Sequence, residues 1–410
     1  MYCPYRAVGV GPSGNAGREP PELRTRLGTG NVRGPSYDEC MGAGTRTRIT
    51  RHVIGRLRLA AQGLLAPDFE SAPDAVRWMT AMQAQDIQAA LWAVGLRMRS
   101  SGVDAVRAAL DEGLIVRSWP MRGTLHLLAP EDLRWILDIT ADRLLRGMGG
   151  RHRELEIDAR DVESSREAAL ELVAGGGSAT RQGLFAAFEA AGQSTAGQRG
   201  IHLLGVLCQR AWLVQGPLVG NQQLIKAFDE WIPKSRELDR AEGIAELVLR
   251  YMLSHGPATE RDFAWWSNTP VTEVRSGLAL VKDQLVELEF EGTSYWMSPA
   301  TAALLDDGVP GQRTLLALPG LDEFLLGYTD RSLVLPPEHA QKVVPGGNGM
   351  FKKTIVSGGE VIGTWARTGT GRTAAVVPEP FDTVNGLRPA AQKSFELQAA
   401  RYLRFLGQAA

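Results

Sequence analysis

The sequence has few cysteines and no long apolar run, and each shortage excludes a class of protein. Its three cysteines, Cys3, Cys40 and Cys208, have no spacing typical of a metal site, a redox pair or an iron–sulfur cluster. We therefore expect no disulfide framework and a reducing, cytoplasmic environment. No apolar stretch reaches the roughly 18 residues of a membrane helix, and the N-terminus lacks the apolar core of a signal peptide.

The charge balance and the missing motifs exclude further classes. With 45 basic and 46 acidic residues, the formal net charge is −1, which argues against a small, uniformly basic DNA-coating protein but allows arginines to concentrate on one concave face. Neither the P-loop pattern GxxxxGK[ST] nor the zinc-deaminase combination of HxE with PCxxC occurs. The six histidines are scattered without metal-ligand spacing. We therefore expect neither a metal nor another cofactor.

What the sequence does contain is a repeated order of helices followed by a β-hairpin. The first set has helices near 49–64, 74–82 and 103–110 and a hairpin at 114–128, and Asp74 is the predicted cap of its second helix. The second has helices at 162–174, 180–191 and 195–210 and a hairpin at 212–225, turning at Gly216-Pro217. The third has helices at 244–255, 259–266 and 271–283 and a hairpin at 285–297, turning at Glu291-Gly292. Thr180 and Thr259 occupy equivalent places and can each cap the next helix.

This order is typical of winged-helix modules, a variant of helix-turn-helix. We predict an α+β chain of three tandem winged-helix modules, followed by an antiparallel β subdomain with strands near 315–319, 352–356, 360–367 and 372–377 and a closing helix at 390–406. The predicted boundaries are a disordered tail over 1–46, winged helices over 47–150, 151–235 and 236–310, and the β subdomain over 311–410.

The candidate catalytic segment is Gln83-Ala84-Gln85, which follows the predicted second helix. Two glutamines at i and i+2 face roughly opposite ways on a helix but the same way in an extended chain. If the helix ends near Met82, the two amides converge on one point, where they can hold a water and a sugar together. An amide donates and accepts hydrogen bonds but cannot take a proton as a base.

Several segments resemble one family in the same order along the chain. They are the QAQ tripeptide at 83–85, WPMRGTLHLL at 119–128, LDEFLLGY at 321–328 with DRS at 330–332, and VIGTW at 361–365. Together they resemble the AlkZ-type winged-helix DNA glycosylases, over about residues 48–405. The tripeptide alone is a weak signal, but its order with the other segments is fairly specific.

The resemblance implies monofunctional excision of N-alkylated purines, including crosslinked ones, from duplex DNA, with Gln83 and Gln85 as the catalytic pair. We expect the protein to be a monomer and to work in the cytoplasm in association with the nucleoid. An N7-alkylated guanine is cationic, so its glycosidic bond is already weakened. What remains is to stabilise an oxocarbenium-like sugar and to place a water beneath it. A sister branch has Asp at the second motif position, whereas Asp86 comes one residue later here, so Asp86 is either a supporting base or a turn cap.

Other polar residues near these motifs each have two interpretations. Arg122 and His126 either contact a phosphate or the lesion, or are a rim charge and a half-buried imidazole. Asp322, Glu323 and Arg331 either form a structural ion pair or line the site.

A further set of residues belongs to the predicted helices of the second and third modules. Arg181, Arg199 and Arg210 are, with Arg122, the candidate DNA contacts, although surface arginines are often only solvated. Trp265 and Trp266 are predicted as core rather than as stacking platforms.

Two other functions are consistent with the same architecture. A non-enzymatic winged-helix regulator would read operator DNA or sense a ligand, and would bind undamaged DNA without releasing a base. A degenerate member of the family would only sequester a toxic small molecule. Three modules in one chain favour a monomer around the duplex over a symmetric dimer on a palindrome.

Overall fold

The protein is described here from a computed structural model, which covers residues 47–100, 102–347 and 349–408. The predicted N-terminal tail, residues 1–46, lies outside the described residues. The described chain mixes helices with antiparallel sheets, which confirms the predicted α+β class. None of its helices is long and apolar enough to cross a membrane.

The helices and strands follow one another in the order that the sequence analysis anticipates, with several additions. The helices are α1 (Arg51–Ala61), α2 (Ala72–Met79), α3 (Ile87–Arg97), α4 (Val103–Asp111), α5 (Pro130–Gly147), α6 (Gly149–Glu154), α7 (Ala159–Val173), α8 (Arg181–Ala190), α9 (Arg199–Gln209), α10 (Phe228–Trp231), α11 (Arg240–His255), α12 (Glu260–Ser267), α13 (Val271–Val281), α14 (Pro299–Asp307), α15 (Glu323–Leu326), α16 (Ala340–Val343) and α17 (Pro389–Phe405). The strands are β1 (Ala81–Gln83), β2 (Val116–Met121), β3 (Thr124–Leu128), β4 (Leu213–Val219), β5 (Gln222–Ala227), β6 (Val286–Phe290), β7 (Thr293–Met297), β8 (Leu315–Leu318), β9 (Thr354–Ser357), β10 (Glu360–Thr368) and β11 (Ala375–Pro380).

Side-chain caps explain where several helices begin. The Thr180 hydroxyl accepts a hydrogen bond from Gly183 N, and Thr259 forms a reciprocal capping box with Asp262. Both caps were predicted from the repeat and are confirmed. The predicted cap Asp74 is wrong, because Ser71 is the N-cap of α2 and Asp74 lies at the third helical position, where its N–H donates to the Ser71 hydroxyl.

The strands form three sheets. The first has five strands in the order β1-β3-β2-β4-β5, so the first two hairpins join, with Arg117 of β2 opposite Gln215 of β4. The third hairpin, β6–β7, is a separate two-stranded sheet, and its predicted turn at Glu291-Gly292 is confirmed. The C-terminal strands form a four-stranded antiparallel sheet in the order β11-β10-β9-β8.

Three apolar clusters hold these elements together. One joins the first helices to the C-terminal sheet and to α17, where Tyr402 and Phe405 pack edge-on or tilted against Trp92. The close approach of α17 explains Gly95, since a Cβ there would lie 2.4 Å from the Phe405 ring. The second cluster surrounds Trp135 and Trp266, and the third fills the space between α7, α8, α9 and the first sheet.

Several sequence-based boundaries are wrong. Helices α7 and α11 begin at Ala159 and Arg240, before the predicted residues 162 and 244, and the last strand is Ala375–Pro380 rather than 372–377. Three further boundaries are wrong for a backbone reason. Helix α2 ends at Met79 rather than Met82, because Thr80 takes a positive φ of 66° and the chain then becomes extended. The second hairpin turns at Gly220, where φ is 63°, because β4 runs on through Gly216-Pro217 with a bulge before Leu218. Helix α9 begins at Arg199 rather than at 195, since Gln198 has a left-handed conformation.

Candidate active site

A short strand carries the two glutamines. Beyond the break at Thr80, β1 pairs with β3 so that Gln83 lies opposite His126, and Ala84 N donates to Leu125 O at 2.7 Å. The backbone is therefore extended as far as Gln83, where β1 ends, and Gln85 lies in a bend before α3. Both side chains reach the β2–β3 hairpin, Gln83 through Arg122 and Gln85 through Leu125 N. That the two amides converge on one point stays a prediction.

The Gln83 side chain is oriented by Arg122. The guanidinium of Arg122 donates to Gln83 Oε1 at 3.1 Å and also to the backbone oxygen of Trp266. Its central carbon lies 4.8 Å from the centre of the Trp265 ring, within cation–π range. Arg122 and Gly123 form the β2–β3 turn with φ of 54° and 68°, the pair of positive angles that a two-residue type I′ turn requires.

The Gln85 side chain is held at the mouth of a groove. Its Oε1 accepts a hydrogen bond from Leu125 N at 3.2 Å, while the residue as a whole is exposed. A groove of about 1000 Å³ opens beside it, lined also by Arg117, Trp119 and Arg181. Over the described residues, this lining includes Gln85 but not Gln83, which is half-buried.

Arg117 holds the backbone between the two glutamines. It donates to Ala84 O from Nε at 3.0 Å and from a terminal nitrogen at 2.6 Å. Its other terminal nitrogen donates to the amide oxygens of Gln215 and Gln223 on the second hairpin. Burial lowers the pKa of Arg117 to about 10, against the opposing charge of Asp86, so the side chain remains charged at neutral pH. The glutamine segment is therefore tied to the second hairpin.

A buried carboxylate lies on the other side of Gln83. Glu323 is 1% exposed; its Oε1 accepts the backbone N–H of Gln83 at 2.8 Å and its Oε2 accepts the Trp266 indole N–H at 3.0 Å. Burial by itself would raise the pKa of Glu323, but contact with His255 and the charge of Arg122 outweigh it and lower the pKa to about 2. Glu323 is therefore ionised at neutral pH.

His126 is buried and neutral. Burial and the charge of Arg122 lower its pKa from 6.5 to about 3, and its Nδ1 lies 2.9 Å from Thr124 O while its Nε2 lies 3.2 Å from Arg122. Since Arg122 can only donate, Nε2 is the acceptor and the proton is on Nδ1. His126 thus supports Arg122 as a neutral imidazole and does not titrate between pH 5 and 8.

We expect this burial to make stability depend on pH. Between about pH 6.5 and 3 the unfolded chain takes up a proton at His126 that the folded chain refuses, so the free energy of unfolding falls as pH is lowered through that window. Urea unfolding at pH 7 and pH 5 should show a smaller loss of unfolding free energy in a His126→Gln variant than in the wild type. Buried His255 contributes in the same direction in both proteins, so the difference between them reports on His126. Equal losses in the two proteins would contradict this assignment.

The acidic residues predicted near the site have structural contacts. Asp86 caps α3 by accepting from the N–H groups of Gln88 and Ala89, which fits the capping interpretation. Asp322 is buried, accepts two hydrogen bonds from Arg97 at 3.0 and 3.2 Å, and caps α15. The structural ion pair predicted around Asp322 therefore exists, but with Arg97 as its partner.

Two basic or aromatic residues of the same region also have defined positions. Arg331 donates to Leu325 O, and its guanidinium carbon lies 4.9 Å from the centre of the Trp265 ring. Trp266 is fully buried, as predicted for a core residue, and also contributes the hydrogen bond to Glu323.

Of the four candidate DNA-binding arginines, Arg122, whose DNA-contacting role also stays a prediction, is half-buried and bonded to Gln83 and Trp266 O. The other three are in three different environments. Arg181 is exposed and lines the groove. Arg210 is exposed and pairs with Asp142 at 3.0 Å. The Arg199 side chain is only 13% exposed and is occupied by Asp161 and by backbone oxygens. A DNA-contacting role stays a prediction for all three, and the contacts favour Arg181.

The sequence analysis missed the site roles of two residues and left the role of a third undecided. Arg117 lay within the predicted hairpin without any role, and Trp266 was assigned to the core alone. Glu323 was named only as one of two acidic neighbours. Only the tertiary contacts separate it from Asp322, and no local pattern in the sequence carries that information.

Comparisons with known proteins agree on one family. A family model described as DNA glycosylase AlkZ-like matches residues 76–405. The chain is 27% identical over 308 residues to the interstrand DNA cross-link repair glycosylase of Streptomyces sahachiroi, covering 72% of this chain and 82% of that protein. It is also similar to the solved structure of Streptomyces sahachiroi DNA glycosylase AlkZ, with a TM-score of 0.74 and 25% identity over 88% of this chain and 98% of the other. The chain therefore belongs to the AlkZ-like family of DNA glycosylases, enzymes that hydrolyse N-glycosidic bonds.

Proposed function

We propose that this glycosylase excises N-alkylated purines of the N7-alkylguanine type, or crosslinked purines, from duplex DNA. The observation that carries the proposal is the pair of amides, one clamped by Arg122 and the other at the mouth of the groove. The similarity to a relative named for interstrand cross-link repair supports a substrate of this class.

Each amide retains hydrogen-bonding capacity for a substrate. One lone pair of each Oε1 is used by Arg122 or by Leu125, which leaves one lone pair and two N–H donors on each side chain. The free lone pairs of Gln83 and Gln85 can therefore accept from a water or face the positive charge that develops on the sugar, and their N–H groups can donate to other oxygens of the substrate. A cationic purine leaves without much general-acid help, so orienting the water and stabilising the oxocarbenium-like sugar account for the remaining catalysis.

The groove has a composition suited to a duplex with a bulky lesion. Its lining combines the exposed amides of Gln182 and Gln222 with the exposed guanidinium group of Arg181. Amides can hydrogen-bond to base edges and arginines to phosphates. An open groove of this size accepts an adduct or a crosslinked base without enclosing it.

We further infer that the hairpins belong to three tandem winged-helix modules over 47–150, 151–235 and 236–310, followed by the C-terminal β subdomain. One chain with three modules would surround the duplex as a monomer. Joining of the first two hairpins in one sheet would fix the relative position of the glutamines and of the second module.

The test is direct measurement of base release. Excess protein is incubated with a duplex containing one N7-methylguanine, with a duplex carrying a bulky N7 adduct, and with an unmodified control, and the free base is quantified against reactions without protein. We expect release from the modified duplexes only. No release from several lesion types would contradict the proposal, and sequence-specific binding to undamaged DNA without release would instead support a regulator.

A further inference from the structure

We propose that Glu323 is the positioning residue for Gln83, an inference that rests on the proposed function of that glutamine. Glu323 reaches Gln83 across 240 positions of sequence and accepts its backbone N–H at 2.8 Å. The second carboxylate oxygen is fixed by the Trp266 indole N–H at 3.0 Å. Glu323 therefore acts on the reaction through Gln83 and does not need to touch the substrate.

The same carboxylate also supports the side-chain end of Gln83. After contact with His255, the positive charge of Arg122 is the next cause that keeps the Glu323 carboxylate ionised, and the Arg122 guanidinium donates to Gln83 Oε1 at 3.1 Å. A charge buried without compensation is costly, so the anion and the arginine stabilise each other. Gln83 is consequently held at its backbone by the anion and at its amide by the cation.

The carboxylate is itself held rigidly in place. It lies in the first turn of α15, directly after Asp322, whose pairing with buried Arg97 anchors that short helix. The preceding residue, Leu321, has a positive φ of 64°, a conformation that costs energy in a non-glycine residue and persists only when the surroundings enforce it. This arrangement sets the direction in which Glu323 points.

Charge and geometry both require a carboxylate at this position. The two carboxylate oxygens of Glu323 accept from Gln83 N–H and from the Trp266 indole N–H. A glutamine side chain at this position would direct its own NH₂ group at one of these two donors. A Glu323→Gln variant therefore loses a hydrogen bond and the compensation of Arg122 with almost no change in size. A shift of about 1 Å in a positioning group is enough to lower a rate roughly 100-fold.

The experiment is a double-mutant cycle with Gln83. Single-turnover release of N7-methylguanine and Kd for the lesion duplex are measured for the full chain, for Glu323→Gln, for Gln83→Ala and for the double variant. We expect Glu323→Gln to lower the release rate roughly 10- to 100-fold with Kd changed less than about threefold. In the Gln83→Ala background, Glu323→Gln should have almost no further effect on the release rate, because Glu323 is proposed to act on that rate through the Gln83 side chain.

The matched control is Asp132→Asn. Asp132 is likewise 1% exposed, accepts a Trp135 indole N–H at 2.9 Å and faces arginines, but it lies on α5 and not at Gln83. It should lower thermal stability without lowering the release rate of the folded protein. If Glu323→Gln does not fold, as judged by circular dichroism, Trp266→Phe replaces it in the cycle and should show the same dependence on Gln83.

Three outcomes would overturn the inference. A wild-type release rate in Glu323→Gln would do so, and so would an equal loss of rate with and without Gln83, which would mean that Glu323 acts independently of it. A wild-type rate in Gln83→Ala would remove the proposed role of Gln83 itself, and this inference with it.

Discussion

Replacing Gln83 with alanine is expected to slow release of N7-methylguanine by roughly 10²- to 10³-fold, the scale seen when one preorganised hydrogen-bonding group is removed from an active site. The effect should be large because the Gln83 amide is held by Arg122 and its backbone by Glu323, so it needs little reorganisation during the reaction. The affinity for lesion DNA should change much less, since the proposed binding surface extends along the whole groove. Single-turnover rates and Kd, measured separately, test both statements.

Gln85→Ala and Gln392→Ala make the comparison specific. Gln85→Ala should show a comparable but smaller loss, because the Gln85 amide is exposed and, among the described residues, accepts one hydrogen bond, from Leu125 N. Gln392 is an amide on α17 that donates to Glu396, and its removal should leave the rate unchanged. If Gln83→Ala and Gln392→Ala released base equally fast, the reaction would have to take place elsewhere.

The Arg122→Met variant is expected to lose roughly 100-fold in release rate and about 1–3 kcal/mol in the free energy of unfolding. The guanidinium contacts Gln83, the Trp266 backbone oxygen and the Trp265 ring. Without it, Gln83 is free to change rotamer and Glu323 loses its nearby cation. The losses of release rate and of unfolding free energy have one physical cause, because the Arg122 guanidinium connects the β2–β3 turn to β1 and to α12.

Arg122→Lys distinguishes geometry from charge. A lysine keeps the positive charge but has one compact donor group and cannot span the same acceptors. We therefore expect it to recover much of the stability but little of the release rate. Arg275→Ala, which removes an exposed arginine paired with Glu260, is the control and should change neither quantity measurably. Full recovery of the rate by lysine would show that charge alone is needed at position 122.

Much of the secondary structure could be predicted because its signals are local. The caps at Thr180 and Thr259, the β2–β3 turn and the β6–β7 turn depend on residues within a few positions of one another. The extended backbone at Gln83 was also anticipated, but Gln85 lies in a bend beyond β1, and the helix before this strand ends earlier than expected. Its end depends on the positive φ of Thr80, which a β-branched residue rarely adopts and which no local pattern announces.

Other elements and contacts could not be predicted, because they depend on partners far away in sequence. The second hairpin extends past Gly216-Pro217, where Leu218 N donates to Asp111 on α4. The apolar stretch 87–97 forms a nearly fully buried helix, so it lacks the polar face that makes a surface helix recognisable. Arg117 bonds to Ala84 O, Gln215 and Gln223 only after the first two hairpins have joined.

The sequence by itself determined the α+β class, the repeated order of helices and hairpins, the family resemblance and the two candidate glutamines, because each is written in residue types and short spacings. Only the tertiary structure decided which polar residues meet at Gln83. It separated Glu323, which contacts that strand, from Asp322, which pairs with Arg97. Adjacent side chains at the start of a helix point in different directions, so two neighbouring acidic residues contact different partners. Those partners lie far away in sequence and are brought there by the fold.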